Sequence, residues 1–250
     1  MDASIYREIA ALEDAHWWFV GRRRIIAALL DRLPLPANAE VLEIGCGSGG
    51  NLPMLRRYGR LSAAEYDAEA RRIADRRGIA RRIAACELPA DFPFDGELFD
   101  LIVMLDVLEH IGEDEASLRA VRRHLSASGW LVLTVPAFPF LWSAHDVRNR
   151  HVRRYTRSLI NRRLRAAGLR PGYQSFFNFW LFPLVALVRF AKMPMSGRGN
   201  ETASDFAMPA RPVNWLLAEL FASERVAMGR FALPFGVSYV VAARPTAATA

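Results

Sequence analysis

Val41-Leu42-Glu43-Ile44-Gly45-Cys46-Gly47-Ser48-Gly49-Gly50 is an apolar run that passes into four glycines within six residues. A short run of branched apolar residues suits a buried strand. Glycines let the chain turn with positive φ and let a ligand come close to the backbone. The next residues, Leu52 to Arg57, read as helix, so the loop meets a helix N-terminus, where free amide groups favour negative charge. Gly45, Gly47 and Gly50 satisfy G-x-G-x-x-G, a dinucleotide fingerprint that is weak evidence alone. Glu65 lies 20 residues beyond Gly45, at the end of the next strand-like run, where a carboxylate can accept both ribose hydroxyl protons. These residues specify an adenosine-containing ligand and leave its identity open.

Outward from the loop, strands and helices alternate. Glu40–Ile44, Leu61–Glu65, Ala80–Cys86, Phe99–Leu105 and Trp130–Val135 read as strands. Ala68–Arg77, Glu115–Leu125 and Arg157–Ala167 read as helices, the last closed by Gly168. Nearly continuous apolar strands separated by helices predict a mostly parallel, doubly wound α/β sheet covered on both faces. Ahead of it, Ser4 to Leu33 reads as one helical stretch that Pro34 and Pro36 end. After it, Phe176 to Val188 is apolar, Pro194 to Pro212 loop-like and Val213 to Phe221 helical, before a last strand at Gly236–Ala242. The expected organisation is one domain: a helical cap over 1–36, a ligand-binding core over 37–175, an apolar helical insertion over 176–235 and a last strand over 236–243. The Ala/Thr-rich tail after Pro245 is expected to fray.

The chain has 250 residues, of which 52% are hydrophobic and 24% charged, enough to bury a core and too apolar for disorder. Its two cysteines, Cys46 and Cys86, lack ligand-like spacing, which argues against a disulfide scaffold or zinc knuckle. With no basic-then-apolar leader pattern at the N-terminus, the expectation is a cytoplasmic protein. The formal charge of +7 is compatible with nucleic acid, anionic lipid or an acidic substrate. Arginines such as Arg71, Arg72, Arg76 and Arg77 recur at helical spacing, as on a solvated face.

Two features separate the adenosine ligands. Glu43 stands two residues before the first glycine, where its charge opposes a pyrophosphate and suits an ammonium group. Phe99-Asp100, followed by Asp106-Val107-Leu108-Glu109-His110, places acids at the C-terminal end of the fourth strand, the edge where open α/β sheets bind ligands. The ordered set of Glu43 to Gly49, Glu65, and Asp100 to His110 resembles the class I S-adenosylmethionine-dependent methyltransferases. The resemblance covers about residues 37 to 175 and the final strand. It implies a seven-stranded, Rossmann-like sheet with S-adenosylmethionine as cofactor. By resemblance, Gly45, Gly47 and Gly49 lie along the methionine and ribose, Glu43 holds the ammonium through water, and Glu65 binds the ribose hydroxyls. Asp106 joins the cofactor set, and Cys86 and Glu87 stand where the family offers an adenine contact.

The Asp106-x-x-Glu109-His110 cluster has a plain reading, in which Glu109 caps the following helix and His110 packs at its start. In the other reading, Glu109, His110 and His151 offer O and N ligands to a divalent metal, an arrangement similar to that in small-RNA 2′-O-methyltransferases and some quinone-pathway O-methyltransferases. His145-Asp146 is a second source for the later histidine. His110, His151 and Asp106 are the expected catalytic residues, with both histidines facing the acceptor and His151 able to act as a base toward a hydroxyl.

Trp17, Trp18 and Phe19 form either a lid or a core-facing helix surface. The 176–192 stretch is too short to span a bilayer, and with Arg189 and Lys192 it suits a headgroup layer, so a peripheral membrane contact is expected. Residues Trp17 to Arg23, Pro136 to Pro139 and His151 to Thr156 resemble a bacterial subgroup associated with surface-glycan or lipid-linked pathways. The expected acceptor is therefore a small molecule, lipid or lipid-linked glycan, methylated at oxygen. The alternative is an RNA methyltransferase that uses the basic 148–165 segment as a phosphate track. With no appended RNA-binding module, and with an apolar insertion, the sequence argues against a nucleic-acid partner. A nicotinamide-dependent oxidoreductase, allowed by the glycine spacing, is opposed by Glu43 and the Asp106–His110 run.

Overall fold

The computed structural model describes residues 3–192 and 207–246. The strand that enters the glycine loop is β1 (Ala39–Ile44), flanked by β2 (Gly59–Glu65), β3 (Ile83–Ala85), β4 (Phe99–Leu105) and β5 (Leu125–Pro136). With β6 (Leu169–Phe177) and β7 (Ser238–Pro245) they form a seven-stranded sheet in the order β3-β2-β1-β4-β5-β7-β6. The first five strands pair in parallel, and β7 runs antiparallel to both of its neighbours. This is the mostly parallel α/β sheet that the alternating pattern predicts.

Period-two alternation sends side chains into two layers. Val41, Leu101 and Val103 join Ile25, Leu29 and Phe221 on one face; Leu42, Ile102 and Met104 join Leu118, Val121, Ile160 and Leu164 on the other. The helices among the described residues are α1 (Ala3–Leu12), α2 (Trp17–Leu30), α3 (Leu52–Leu55), α4 (Ala68–Asp75), α5 (Asp114–Arg123), α6 (Ala144–Arg148), α7 (Arg157–Ala166), α8 (Phe182–Lys192) and α9 (Arg211–Ala222), of which α2, α5, α7 and α9 supply these residues. Along α2, Phe19, Arg22, Ile25, Ile26 and Leu29 are buried, which is the spacing of one helical face.

The chain departs from the sequence reading in several places. The single helix expected over Ser4–Leu33 is two, because His16 caps α2 by accepting from the Trp18 N–H at 3.3 Å. The helix expected over Leu52–Arg57 closes after one turn and continues as a 3₁₀ turn over Arg56–Tyr58. The third strand is only three residues long. The sixth strand lies at Leu169–Phe177, so the expected boundary at 176 falls inside it; Phe176-Phe177 alternate across a sheet and do not open a helix. The apolar helix begins at Phe182. The side chains of Arg189 and Lys192, most of the Pro194–Pro212 segment and the last four residues of the tail lie outside the described residues. Among the described residues, no helix is long and apolar enough to cross a membrane.

Because β6 is parallel to β5, the connection from β6 to β7 leaves the sheet at its carboxyl edge, where β1 and β4 also end. The insertion then packs on the cap. Asn214 of α9 accepts from the Trp17 N–H at 2.8 Å and donates to the Ala15 carbonyl at 2.9 Å, filling the break between α1 and α2. Phe221 is fully buried, edge-on to Trp17, and lies against Gly21, where any Cβ would overlap its ring. Replacing Phe221 by Ala is therefore expected to lower the unfolding free energy by about 3–5 kcal/mol, read by urea denaturation.

Candidate functional site

The glycine loop turns between the ends of β1 and β2. Gly45 has φ +73°, and a Cβ there would overlap a methyl of Val107, so only glycine fits. The Gly47 N–H donates to Glu65 Oε2 at 2.9 Å, and Glu65 Oε1 accepts from the Asp67 N–H at 2.9 Å. Glu65 thus ends β2 with its carboxylate fixed at the loop, and burial raises its pKa. Glu43 is fully buried; Asn51 Nδ2 donates to Oε1 at 2.8 Å, and Oε2 has no partner. Burial pushes the Glu43 pKa up to about 7.

The cap closes this edge from outside the sheet. Glu13, just past α1, accepts from Ser48 Oγ at 2.7 Å and pairs with Arg77 at 2.6 Å. Arg22 of α2 reaches Asp106 in an ion pair, with its guanidinium over the Trp18 ring at 4.6 Å. Asp106 follows β4 with φ +57°, its N–H bonded to the Thr134 carbonyl and to Thr134 Oγ1.

Between loop and cap lies a cleft of about 480 Å³. One end is lined by Tyr6, Glu65, Tyr66, Cys86, Glu87 and Leu88, and the other by Asp106, Val107, His110, Asn149 and Arg150, with Gly45 and Gly47 between. The volume is ordinary for a small-molecule site. The donor set fits S-adenosylmethionine: the orphaned buried oxygen of Glu43 needs a cation or a water-bridged ammonium, and Glu65 retains lone pairs for ribose hydroxyls. A phosphate ligand does not fit an edge that gathers Glu13, Glu43 and Glu65.

Past Asp106, a 3₁₀ turn over Leu108–His110 carries Glu109 inward and His110 toward the cleft. Glu109 is buried, its Oε2 has no partner, and burial together with the Asp106 charge pushes its pKa well above the carboxylate range. The His110 ring stands 4.7 Å from that of His151, and burial and then His151 lower its pKa to about 4. His151 Nδ1 lies 3.0 Å from Asp146 Oδ1, which also accepts from Arg154 Nε at 2.8 Å. His110 lines the cleft, whereas His151 stands behind it and is not among the lining residues.

The structure thus brings Gly45, Gly47, Glu65, Glu87, Asp106 and His110 together in the cleft lining, with Glu109 and His151 grouped beside His110; Glu43, fully buried near the end of β1, is not part of that lining. Gly49, with φ +88°, packs against Leu52, Ala74 and Arg77, below the loop and outside the cleft lining. Trp17, Trp18 and Phe19 do not line the cleft; Trp17 meets Phe221 and Phe19 is buried. His145 stands 6.0 Å from His151, ring to ring. The sequence gives no site role to Tyr6, Asn51 or Asn149, and names Arg150 only within the alternative phosphate track and Arg22 only beside the aromatic stretch. Asn51 alone carried a local signal, as a polar residue directly after the glycines.

Glu43 supplies a pH test. A cation held near its carboxylate favours the charged form, so its pKa falls on binding and proton release accompanies binding below about pH 7. S-adenosylmethionine affinity is therefore expected to rise between pH 6 and pH 7 and to level off above. Isothermal titration of Glu43→Gln should show a flat profile and an affinity about 10- to 100-fold weaker, the value of one charge-assisted bond.

The family described as "Methyltransferase domain" matches residues 19–172. A Mycobacterium tuberculosis (strain H37Rv) protein named as a probable S-adenosylmethionine-dependent methyltransferase is 27% identical over 132 residues, 52% of this chain and 46% of that protein. The chain thus matches about half the length of this curated relative. A chain of the Haloferax volcanii complex between the Trm112 methyltransferase activator and a methyltransferase superposes with TM-score 0.61 at 17% identity, covering 98% of this chain and 94% of that one. Geranyl diphosphate C-methyltransferase from Streptomyces coelicolor, solved with S-adenosyl-L-homocysteine, superposes with TM-score 0.57 at 16% identity, covering 87% and 74%. With the glycine loop, the buried Glu43 and the strand order in place, the chain belongs to the class I S-adenosylmethionine-dependent methyltransferases.

Proposed function

We propose that the chain transfers the methyl group of S-adenosylmethionine to an oxygen of a small-molecule, lipid or lipid-linked glycan acceptor. The observation that carries this reading is the single cleft that joins Glu65 and Glu87 at one end to Asp106 and His110 at the other. Bound there, the cofactor supplies an already activated methyl group on a sulfonium. The chain's residues then have two tasks, alignment and exclusion of water. Glu43, the glycine loop and Glu65 would hold the donor, with Glu87 a candidate contact for its adenine. Asp106, fixed by Arg22, borders the reacting region, and His110 lines it on the acceptor side.

The apolar insertion supports the lipid side of this reading. Phe138, just past β5, stacks on Phe176 at 5.0 Å and meets Phe182 at 5.9 Å, so the insertion begins beside the carboxyl edge. Trp180, Leu184, Leu187, Val213, Trp215 and Leu216 expose their side chains. Within the expected 176–192 contact, Trp180, Leu184 and Leu187 are the described side chains that an exposed apolar surface of this kind would offer to a headgroup layer. The phosphate track is less well supported, because Arg148, Arg153, Arg154 and Arg163 pair with acids of this chain.

The test is transfer of radiolabelled methyl into host extract, partitioned into organic, aqueous and nucleic-acid fractions. Label in the organic phase is expected; label confined to nucleic acid overturns the reading. With the acceptor so identified, His110→Ala is expected to lower kcat about 10²- to 10⁴-fold while S-adenosylhomocysteine still binds.

A further inference from the structure

Among the described residues, one group of side chains offers three ligand atoms close together: Glu109, His110 and His151 each present one, all within 4.8 Å of one another. Two independent observations point to a missing partner. Glu109 is only 1% exposed, and its Oε2 finds no donor. A buried carboxylate oxygen without a partner is costly unless a proton or cation completes it. His151, for its part, is held from behind. Its Nδ1 faces Asp146 Oδ1 at 3.0 Å, and Asp146 is fully buried and fixed by Arg154 Nε at 2.8 Å. A carboxylate on one ring nitrogen orients the other outward and raises its basicity, the usual second support of a metal-binding histidine. With Nδ1 engaged, Nε2 is the atom left to bind.

We propose that Glu109, His110 and His151 bind one divalent first-row transition-metal ion, of the zinc or cobalt class, beneath the acceptor end of the cleft. Two imidazoles and one carboxylate favour such ions over magnesium, which prefers all-oxygen sites. Three protein ligands leave a position open, as in sites that do chemistry. His110 belongs both to the cluster and to the cleft lining, so the ion has access to the acceptor. This last consequence rests on the proposed methyl transfer to oxygen: an ion there lowers the pKa of an acceptor hydroxyl.

The site is read directly, without the acceptor. Co²⁺ titrated into the metal-free full-length chain is expected to give a saturable visible absorption band at one ion per chain, displaced by Zn²⁺. Glu109→Gln, which keeps the shape and removes the charge of a carboxylate whose Oε2 has no partner, is expected to abolish the band, as is His151→Ala. Asp146→Asn is expected to weaken binding about 10- to 100-fold. S-adenosylhomocysteine binding, measured on each variant without metal, reports that the chain is folded and tests the methyltransferase reading separately. Intact S-adenosylhomocysteine binding with no saturable Co²⁺ band overturns the metal site alone. A band that survives both Glu109→Gln and His151→Ala places the ion elsewhere and overturns it equally.

Discussion

Asp106 leaves β4 with positive φ, and its ion pair with Arg22 fastens the N-terminal helices across the carboxyl edge of the sheet. Arg22 is nearly buried, whereas Asp106 keeps part of its side chain open to the cleft, so the pair desolvates mainly the guanidinium. Buried pairs of this kind contribute little net stability, yet losing one partner costs about 3–5 kcal/mol because the other charge is stranded. The pair therefore specifies where the cap sits. Arg77 with Glu13 does the same on the other side of the glycine loop, and Glu13 reaches that loop because α1 ends just before it. Apolar packing alone would allow the cap to slide; two charged contacts to the loop and to β4 do not.

The same edge concentrates acids. Glu13, Glu43 and Glu65 stand around the loop, and burial raises the pKa of all three. Burial is the main cause in each case, and at Glu43 the charges of Glu13 and Glu65 add to it. A donor that carries sulfonium and ammonium charges balances these acids, whereas a pyrophosphate would add to their charge. The G-x-G-x-x-G spacing admits both ligands, and the buried acids choose between them. The sign of the edge, more than the glycines, makes this a methyl-donor site.

Much of this was legible in the sequence, and the unread parts share a cause. The strand and glycine loop of β1, Glu65 twenty residues on, and the Asp106–His110 run are local patterns, set by period and spacing along one stretch of chain. Tyr6 and Asn149 reach the cleft, and Arg22 reaches Asp106, from segments whose approach depends on tertiary packing, and no local pattern announces that. The break between α1 and α2 was hidden for the same reason, since its exposed amides are satisfied by Asn214, some 200 residues away. The end of β6 was misread because Phe176-Phe177-Asn178-Phe179 is apolar at both the strand and the helix period, and a run of aromatics does not say which one holds. Asp146 was visible only as a neighbour of His145; its role appears once the turn after α6 brings His151 back upon it.

The antiparallel last strand explains why the insertion lies where it does. A strand that runs against β5 and β6 must start at the carboxyl edge, so any residues added between β6 and β7 emerge on the side where the cleft opens. Such residues can vary without disturbing the pairing of the sheet, because the register of β7 is fixed by its two neighbours. Here the insertion does not stand apart from the donor site. Its helix α9 packs on α2 through Phe221, Gly21 and Asn214, and α2 carries Arg22, which holds Asp106. One helix, α2, thus joins the insertion to the end of β4.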